Sequence, residues 1–144
     1  EIPSHLQAKV LRVLQEGKLT RVGGEKEVIV NVRILAATNK DLKQEIALGN
    51  FREDLFHRLS VILIKVPSLN DRIEDIPLLV NSFNEQICSS YGMTAKTFEA
   101  EAMNKLKELS WTGNIRELKN AVERLIILSD KTITLADIEK YIVA

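Results

Sequence analysis

Cys88 is the only cysteine among 144 residues, so no internal disulfide staples the chain, and a reducing, soluble, cytoplasmic setting is expected. An excess of one charge is also missing. Lysine plus arginine number 20 and aspartate plus glutamate number 20, which leaves no net field to hold a polyanion or an acidic membrane and argues against non-specific nucleic-acid binding. Apolar runs are short, none longer than the four residues of Val61 to Ile64 before Lys65, and fall far short of the roughly 20 residues of a membrane span. His5 and His57 are far apart and no C-x-x-C or H-x-x-x-H spacing occurs, so no metal site is expected. No G-x-S-x-G elbow points to a hydrolase nucleophile. No G-x-x-x-x-G-K-[ST] cradle occurs that would grip a triphosphate unaided. No internal repeat or low-complexity tract is visible, and no charged-then-apolar leader precedes Glu1-Ile2-Pro3, so the chain reads as a piece of a longer one.

What is present is an ordinary globular composition, 45% hydrophobic and 28% charged, enough for one domain or two small lobes. Leu6, Val10, Val13 and Leu14 recur at helical spacing from Ser4 to Glu16, with Gln7, Lys9, Arg12 and Gln15 on the remaining positions. Gly17 ends this helix and Ser4 is its expected N-cap. Leu19 to Val22, Gly23-Gly24, and the alternating Val28, Val30, Val32 and Ile34 predict a hairpin. The second strand then runs into Ile34-Leu35-Ala36-Ala37, apolar on both faces as in the centre of a parallel sheet. A short helix from Lys40 to Leu48 and a helical turn or two over 51–59 follow. Val61 to Val66, closed by Pro67, predicts a second buried strand. Beyond Pro67 the period becomes helical throughout: Ile73, Ile76, Val80, Phe83 and Ile87 on one face, Phe98, Ala102, Leu106 and Leu109 on another, Ile115, Leu118, Val122, Leu125 and Ile126 on a third. A last helix near Leu135 to Ile142 starts at the N-cap Thr134. The expected division is therefore an α/β part over residues 1–66 and an all-helical lobe over 67–144.

Few residues are candidates for chemistry. Thr38 and Asn39 stand where an apolar strand gives way to a helix, the place at which ligands gather in open α/β sheets, yet Asn39 also suits a simple helix cap. Arg52 and Arg58, six residues apart on one short helix, point about 120° from each other. A guanidinium fork suits a transferring phosphoryl group, but an ordinary Arg58–Asp54 pair at i, i+4 suits the same residues. Gly113-Asn114-Ile115-Arg116-Glu117-Leu118 opens a helix, with Asn114 and Glu117 in a capping-box pattern that leaves Arg116 unaccounted for. Cys88, beside Ile87, reads as a small packed residue.

Four segments, taken together, resemble the bacterial enhancer-binding proteins, the AAA+ ATPases that activate sigma-54 RNA polymerase. They are Leu6-Gln7-Ala8-Lys9-Val10-Leu11-Arg12-Val13-Leu14-Gln15-Glu16, Arg33-Ile34-Leu35-Ala36-Ala37-Thr38-Asn39, Phe51-Arg52-Glu53-Asp54-Leu55-Phe56-His57-Arg58-Leu59 and Gly113-Asn114-Ile115-Arg116-Glu117-Leu118-Lys119-Asn120. They cover essentially the whole chain in family order. The resemblance implies the C-terminal portion of an AAA+ P-loop NTPase α/β subdomain, residues 1–66, followed by a helical lid subdomain, residues 67–144. It implies that Thr38 and Asn39 are sensor I, that Arg52 and Arg58 are arginine fingers acting in trans, and that Arg116 is sensor II. ATP with Mg2+ would be the cofactor of the intact parent, held between subunits of a ring, usually a hexamer, whose hydrolysis cycle remodels the sigma-54 promoter complex.

Glu1 resembles a residue just after the Walker B pair. The Walker A lysine, the GAFTGA loop that touches sigma-54 and Walker B itself would then all lie upstream of Ser4, and DNA binding would belong to a domain beyond residue 144. These 144 residues alone are expected neither to hold nucleotide tightly nor to hydrolyse it. The resemblance also sets the phosphate-loop strand between the two apolar runs, so the α/β part is expected to repack or to pair its open strand edges with another copy. Thr112 stands where the family often has proline, and Asn70 where an arginine is common. The rival readings are a non-catalytic helical interaction module and a piece of a different AAA+ DNA-acting motor.

Overall fold

The computed structural model describes residues 2–143, so Glu1 and its expected place after Walker B lie outside the described residues. The chain divides into two compact units between Lys65 and Val66. Each is described by itself.

The first unit opens with helix α1, Ser4–Glu16. Its N-cap is Pro3, whose carbonyl accepts from the amides of Leu6 and Gln7, so Ser4 is the first helical residue rather than the cap. Gly17 ends α1 as expected, at φ 63°, a left-handed conformation that costs a residue without Cβ little, and returns its N–H to the Val13 carbonyl. Strands β1, Lys18–Thr20, and β2, Glu27–Ile29, pair antiparallel with Leu19 opposite Val28, which is the expected hairpin. Helix α2, Leu42–Ala47, and helix α3, Glu53–Leu59, complete the unit. Leu11 and Leu55 are its buried apolar residues, on the packed pair α1 and α3.

Two expected strands are not formed. β2 ends at Ile29, and neither residues 31–38 nor the run from Val61 to Val66 takes up strand structure. Leu35 is 85% exposed and Leu63 80%, where burial on both faces was expected, and neither run repacks onto another element. The reason is physical: a strand apolar on both faces is stable only with hydrogen-bonded neighbours and a layer above and below. None of the described residues supplies them. Mixed helix and short sheet remains the class of the chain, with β1–β2 and a second two-stranded sheet as its sheets among the described residues.

The second unit is helical, as its periodicity predicts. A 3₁₀ helix over Leu69–Asp75 leads into α4, Ile76–Ser90; then come α5, Ala100–Glu108, α6, Asn114–Leu128, and α7, Leu135–Ile138, continued by a π-helical turn over Glu139–Val143. Strands β3, Thr97–Phe98, and β4, Thr132–Ile133, pair in parallel and tie the start of α5 to the loop after α6. The apolar stripes meet in one core that includes Leu69, Ile76, Val80, Leu106, Trp111 and Leu125. Cys88 is packed in the same core. Ile73 departs from its predicted face and is 40% exposed, because the 3₁₀ helix breaks at Arg72 with φ −141° and ψ 51°.

Three polar devices hold this core in register. Asn84, buried on α4, donates from Nδ2 to the Lys96 carbonyl at 2.7 Å and accepts the Lys96 N–H at 3.1 Å. The Lys96 ammonium donates to the carbonyls of Ile126 and Ser129, a cation at the negative end of α6. Thr134 and Asp137 form a reciprocal capping box, with the Thr134 N–H on Asp137 Oδ2 at 2.8 Å, so the expected cap of the last helix is present.

Candidate functional site

The Arg52 to Arg58 segment is built on α1. Gln7, counted from its spacing among the polar positions, is 99% removed from solvent, with 1% exposure. Its amide Nε2 donates to the carbonyls of Ile2 at 3.1 Å and Asn50 at 2.9 Å, and its Oε1 accepts the Arg52 N–H at 2.8 Å. The signal was available: Gln7 stands at i−4 and i−7 from Leu11 and Leu14, on the helix face that carries the buried Leu11.

Arg52 is the N-cap of α3, extended at φ −78° and ψ 132°, so the helical angle of about 120° to Arg58 does not apply to it. Its guanidinium makes a two-pronged pair with Asp54, Nε to Oδ1 at 3.0 Å and Nη2 to Oδ2 at 2.7 Å. Asp54 Oδ1 also accepts the Leu55 N–H at 2.8 Å. Hydrogen bonding to Arg52 holds the Asp54 carboxyl below the usual carboxylate range, and the same bonds raise the Arg52 guanidinium above its own. Arg58, expected to pair with Asp54, instead donates from Nη2 to the Leu14 carbonyl of α1 at 3.0 Å. Asp54 is already engaged by Arg52, which explains the difference.

Thr38 and Asn39 follow the uncoiled run before α2. Thr38 Oγ1 accepts the Lys40 N–H at 3.1 Å. Asn39 is not the cap of α2: Asp41 is, accepting from the amides of Lys43 and Gln44. The Asn39 side-chain amide has no hydrogen-bond partner among the described residues, and the residue is exposed.

In the second unit Arg116 lies in the first turn of α6, exposed and unpaired among the described residues. It lines an open groove of about 430 Å³ together with Trp111, Glu117, Asn120, Arg124 and Ile142. Arg124 is held from behind, Nη1 donating to the Tyr141 carbonyl at 3.1 Å. The expected capping box with Asn114 as N-cap is not formed, because the N-cap is a glycine with no side chain to accept from the helix, and only the Glu117 half of the pattern is present. Gly113 is the N-cap, its N–H donating to Glu117 Oε2 at 2.8 Å, and a Cβ on Gly113 would lie 2.9 Å from Glu117 Cβ. Asn114, at φ 54°, turns its side chain away from the helix to accept the Leu69 N–H at 2.8 Å. Asn70 Oδ1 accepts the Trp111 N–H at 2.8 Å. The turn before Arg116 is thus stitched to the 3₁₀ helix from both sides, a role for Asn70 and Asn114 that spacing did not reveal.

No group of three or more metal-ligating side chains is assembled among the described residues, and no helix among them is long and apolar enough to cross a membrane.

Residues 1–65 match the family model described as the sigma-54 interaction domain, and residues 70–144 match that of the AAA+ ATPase lid domain. The chain is 46% identical over 138 residues to the DNA-binding transcriptional regulator NtrC of Azospirillum brasilense, covering 96% of this chain and 28% of that protein. It is 48% identical over 130 residues to the Nif-specific regulatory protein of Klebsiella pneumoniae, 90% of this chain and 25% of that one. The crystal structure of NtrX from Brucella abortus in complex with ATP superposes with a TM-score of 0.88 at 44% identity, over 98% of this chain and 33% of that chain. The chain therefore spans only about a quarter to a third of these relatives. With one family model matched before the division between the units and the other after it, the chain belongs to the sigma-54 activator AAA+ ATPases and carries the stretch of that domain that runs into the lid.

Proposed function

We propose that this chain supplies the phosphate-sensing and finger residues of an ATP-hydrolysing domain that remodels sigma-54 RNA polymerase at promoters. In this reading residues 1–66 are the C-terminal part of the AAA+ α/β subdomain and residues 67–144 the lid. Thr38 and Asn39 act as sensor I, Arg52 and Arg58 as fingers reaching a neighbouring subunit's nucleotide, and Arg116 as sensor II on its own subunit's ATP. The assembly is a ring, a hexamer in the first instance, working in the cytoplasm, with DNA held by a separate domain.

The observation that carries the reading is the state of Arg116. A guanidinium at a helix N-terminus, open to a groove and unpaired among the described residues, is suited to a terminal phosphate, where the helix dipole and its two parallel N–H bonds act together. Asn39 offers a free amide in the same way. A phosphate cradle and a metal-binding acidic cluster do not occur among the described residues, so gripping Mg-ATP is not assigned to them. ATP when bound supplies the γ-phosphoryl group. The residues here orient it and neutralise charge that grows on its oxygens in the transition state, where a finger arginine contributes a factor of about 10³ to 10⁵. A stand-alone helical interaction module, or a different AAA+ motor, is not favoured, because the first half matches the sigma-54 interaction domain, the second an AAA+ lid, and relatives such as the NtrC regulator run across both.

The test is ATP hydrolysis by the full-length protein carrying Arg52→Ala or Arg58→Ala. Loss that is restored by mixing in a subunit unable to bind ATP supports fingers acting in trans. Full activity in both variants overturns the reading.

A further inference from the structure

We propose that Gln7 is the positioning residue for Arg52, and the proposal rests on the reading of Arg52 as an arginine finger. A primary amide offers two N–H donors and one acceptor oxygen, and Gln7 spends all of these on the backbone: Ile2 and Asn50 carbonyls and the Arg52 N–H. Two of the three bonds reach 43 and 45 residues along the chain, to the two sides of Phe51. Arg52 precedes the first turn of α3, and its N–H has no partner within that helix. With seven residues, α3 is too short to define its own start by intrahelical bonds. Gln7 supplies the missing constraint from the neighbouring helix.

The way each arginine is held makes the effect specific. Arg52 is fixed through its backbone, which leaves the guanidinium free to exchange the Asp54 carboxylate for a phosphate without losing its anchor. Arg58 is instead held by its guanidinium, with Nη2 on the Leu14 carbonyl, and its backbone receives no bond from Gln7. Loss of Gln7 therefore loosens Arg52 while leaving the Arg58 contact in place. A buried amide that merely filled space would be replaceable by methionine, which has similar length and no hydrogen bonds to give.

The experiment uses the full-length protein with Gln7→Met, and Gln7→Glu as the isosteric variant that retains the acceptor. Amide hydrogen exchange of Arg52 is expected to quicken about tenfold in Gln7→Met and less in Gln7→Glu. The kcat for ATP is expected to fall about tenfold to a hundredfold in Gln7→Met, with KM changed less than about twofold. Because the variant subunit keeps its own nucleotide site, mixing with a subunit unable to bind ATP but with intact fingers should restore hydrolysis. Unchanged kcat in Gln7→Met, while Arg52→Ala is inactive, overturns the proposal, and so does a loss that mixing does not restore. Unquickened exchange at the Arg52 amide in Gln7→Met also overturns it, since the acceptor for Arg52 would then not matter. Full activity of Arg52→Ala overturns the finger reading itself and is recognised separately, because exchange at the Arg52 amide reports on Gln7 whether or not Arg52 is a finger.

Discussion

Asn114 reaches across to the 3₁₀ helix and accepts the Leu69 N–H at 2.8 Å while its own backbone sits at φ 54°, in the left-handed region. Leu69 is fully buried, so this N–H has no route to water, and asparagine, which tolerates the left-handed backbone better than most residues with a side chain, also supplies the acceptor.

Replacement of Asn114 should separate these two contributions. Asn114→Gly keeps the backbone unstrained and loses the acceptor for the Leu69 N–H, a cost of about 1–3 kcal/mol for an unsatisfied buried donor, together with the exposed Nδ2 bond to the Thr112 carbonyl. Asn114→Ala adds left-handed strain of about 1–2 kcal/mol. Urea unfolding of the two variants should therefore rank Asn114→Ala as the less stable; equal midpoints would mean the backbone strain is absent.

The capping box of α7 ties stability to pH. Asp137 is held below the usual carboxylate range, chiefly by accepting the Thr134 N–H. Between its depressed folded value and the unfolded value of about 3.9 the unfolded chain binds more protons, so stability rises with pH there. The contribution is complete above the unfolded value and vanishes as pH falls through the folded one. Thr134→Ala should lose about 1 kcal/mol at neutral pH. Asp137→Asn should differ from wild type near pH 7 and converge with it at strong acid, as read by denaturant midpoints across that range.

The Arg52–Asp54 pair is solvent-exposed, so its signature is spectroscopic rather than energetic. The Asp54 carboxyl should titrate below an ordinary aspartate by carbon-detected NMR. Arg52→Ala should return it toward the ordinary value, since the Arg52 hydrogen bonds are the largest cause of the shift. An unshifted Asp54 in both proteins would show that the two-pronged pair is not populated in solution.

Arg116→Ala bears on the lid. Its guanidinium has no partner among the described residues, so unfolding midpoints should move by less than about 0.5 kcal/mol. ATP hydrolysis by the full-length protein should nevertheless fall about 10²-fold, the range for removing one charge-stabilising donor. A variant with full turnover would exclude Arg116 from the phosphate site.

Much of this was legible beforehand. The helices of the second unit follow from apolar residues recurring at helical spacing, because one buried stripe per helix is all a small helical core needs. Gly17 and Thr134 mark helix ends through backbone chemistry that depends on neighbours in sequence alone. Patterns of this local kind also placed the β1–β2 hairpin. The runs over 31–37 and 61–66 are exposed although their pattern is that of buried strands, since alternation and β-branching describe a segment's appetite for burial and not whether a partner strand is at hand.

The family and the residue types at each candidate position are readable from the order of residues, because four long motifs and the helical periods are properties of order along the chain. Which groups hold which is a matter of packing. Gln7 turned out to be buried and bound to Arg52, Arg58 to rest on Leu14 rather than Asp54, and Asn114 to serve Leu69 rather than its own helix. Hydrogen bonds between residues some 45 positions apart depend on how helices pack, and packing is settled by the whole fold at once, not by any segment's own pattern.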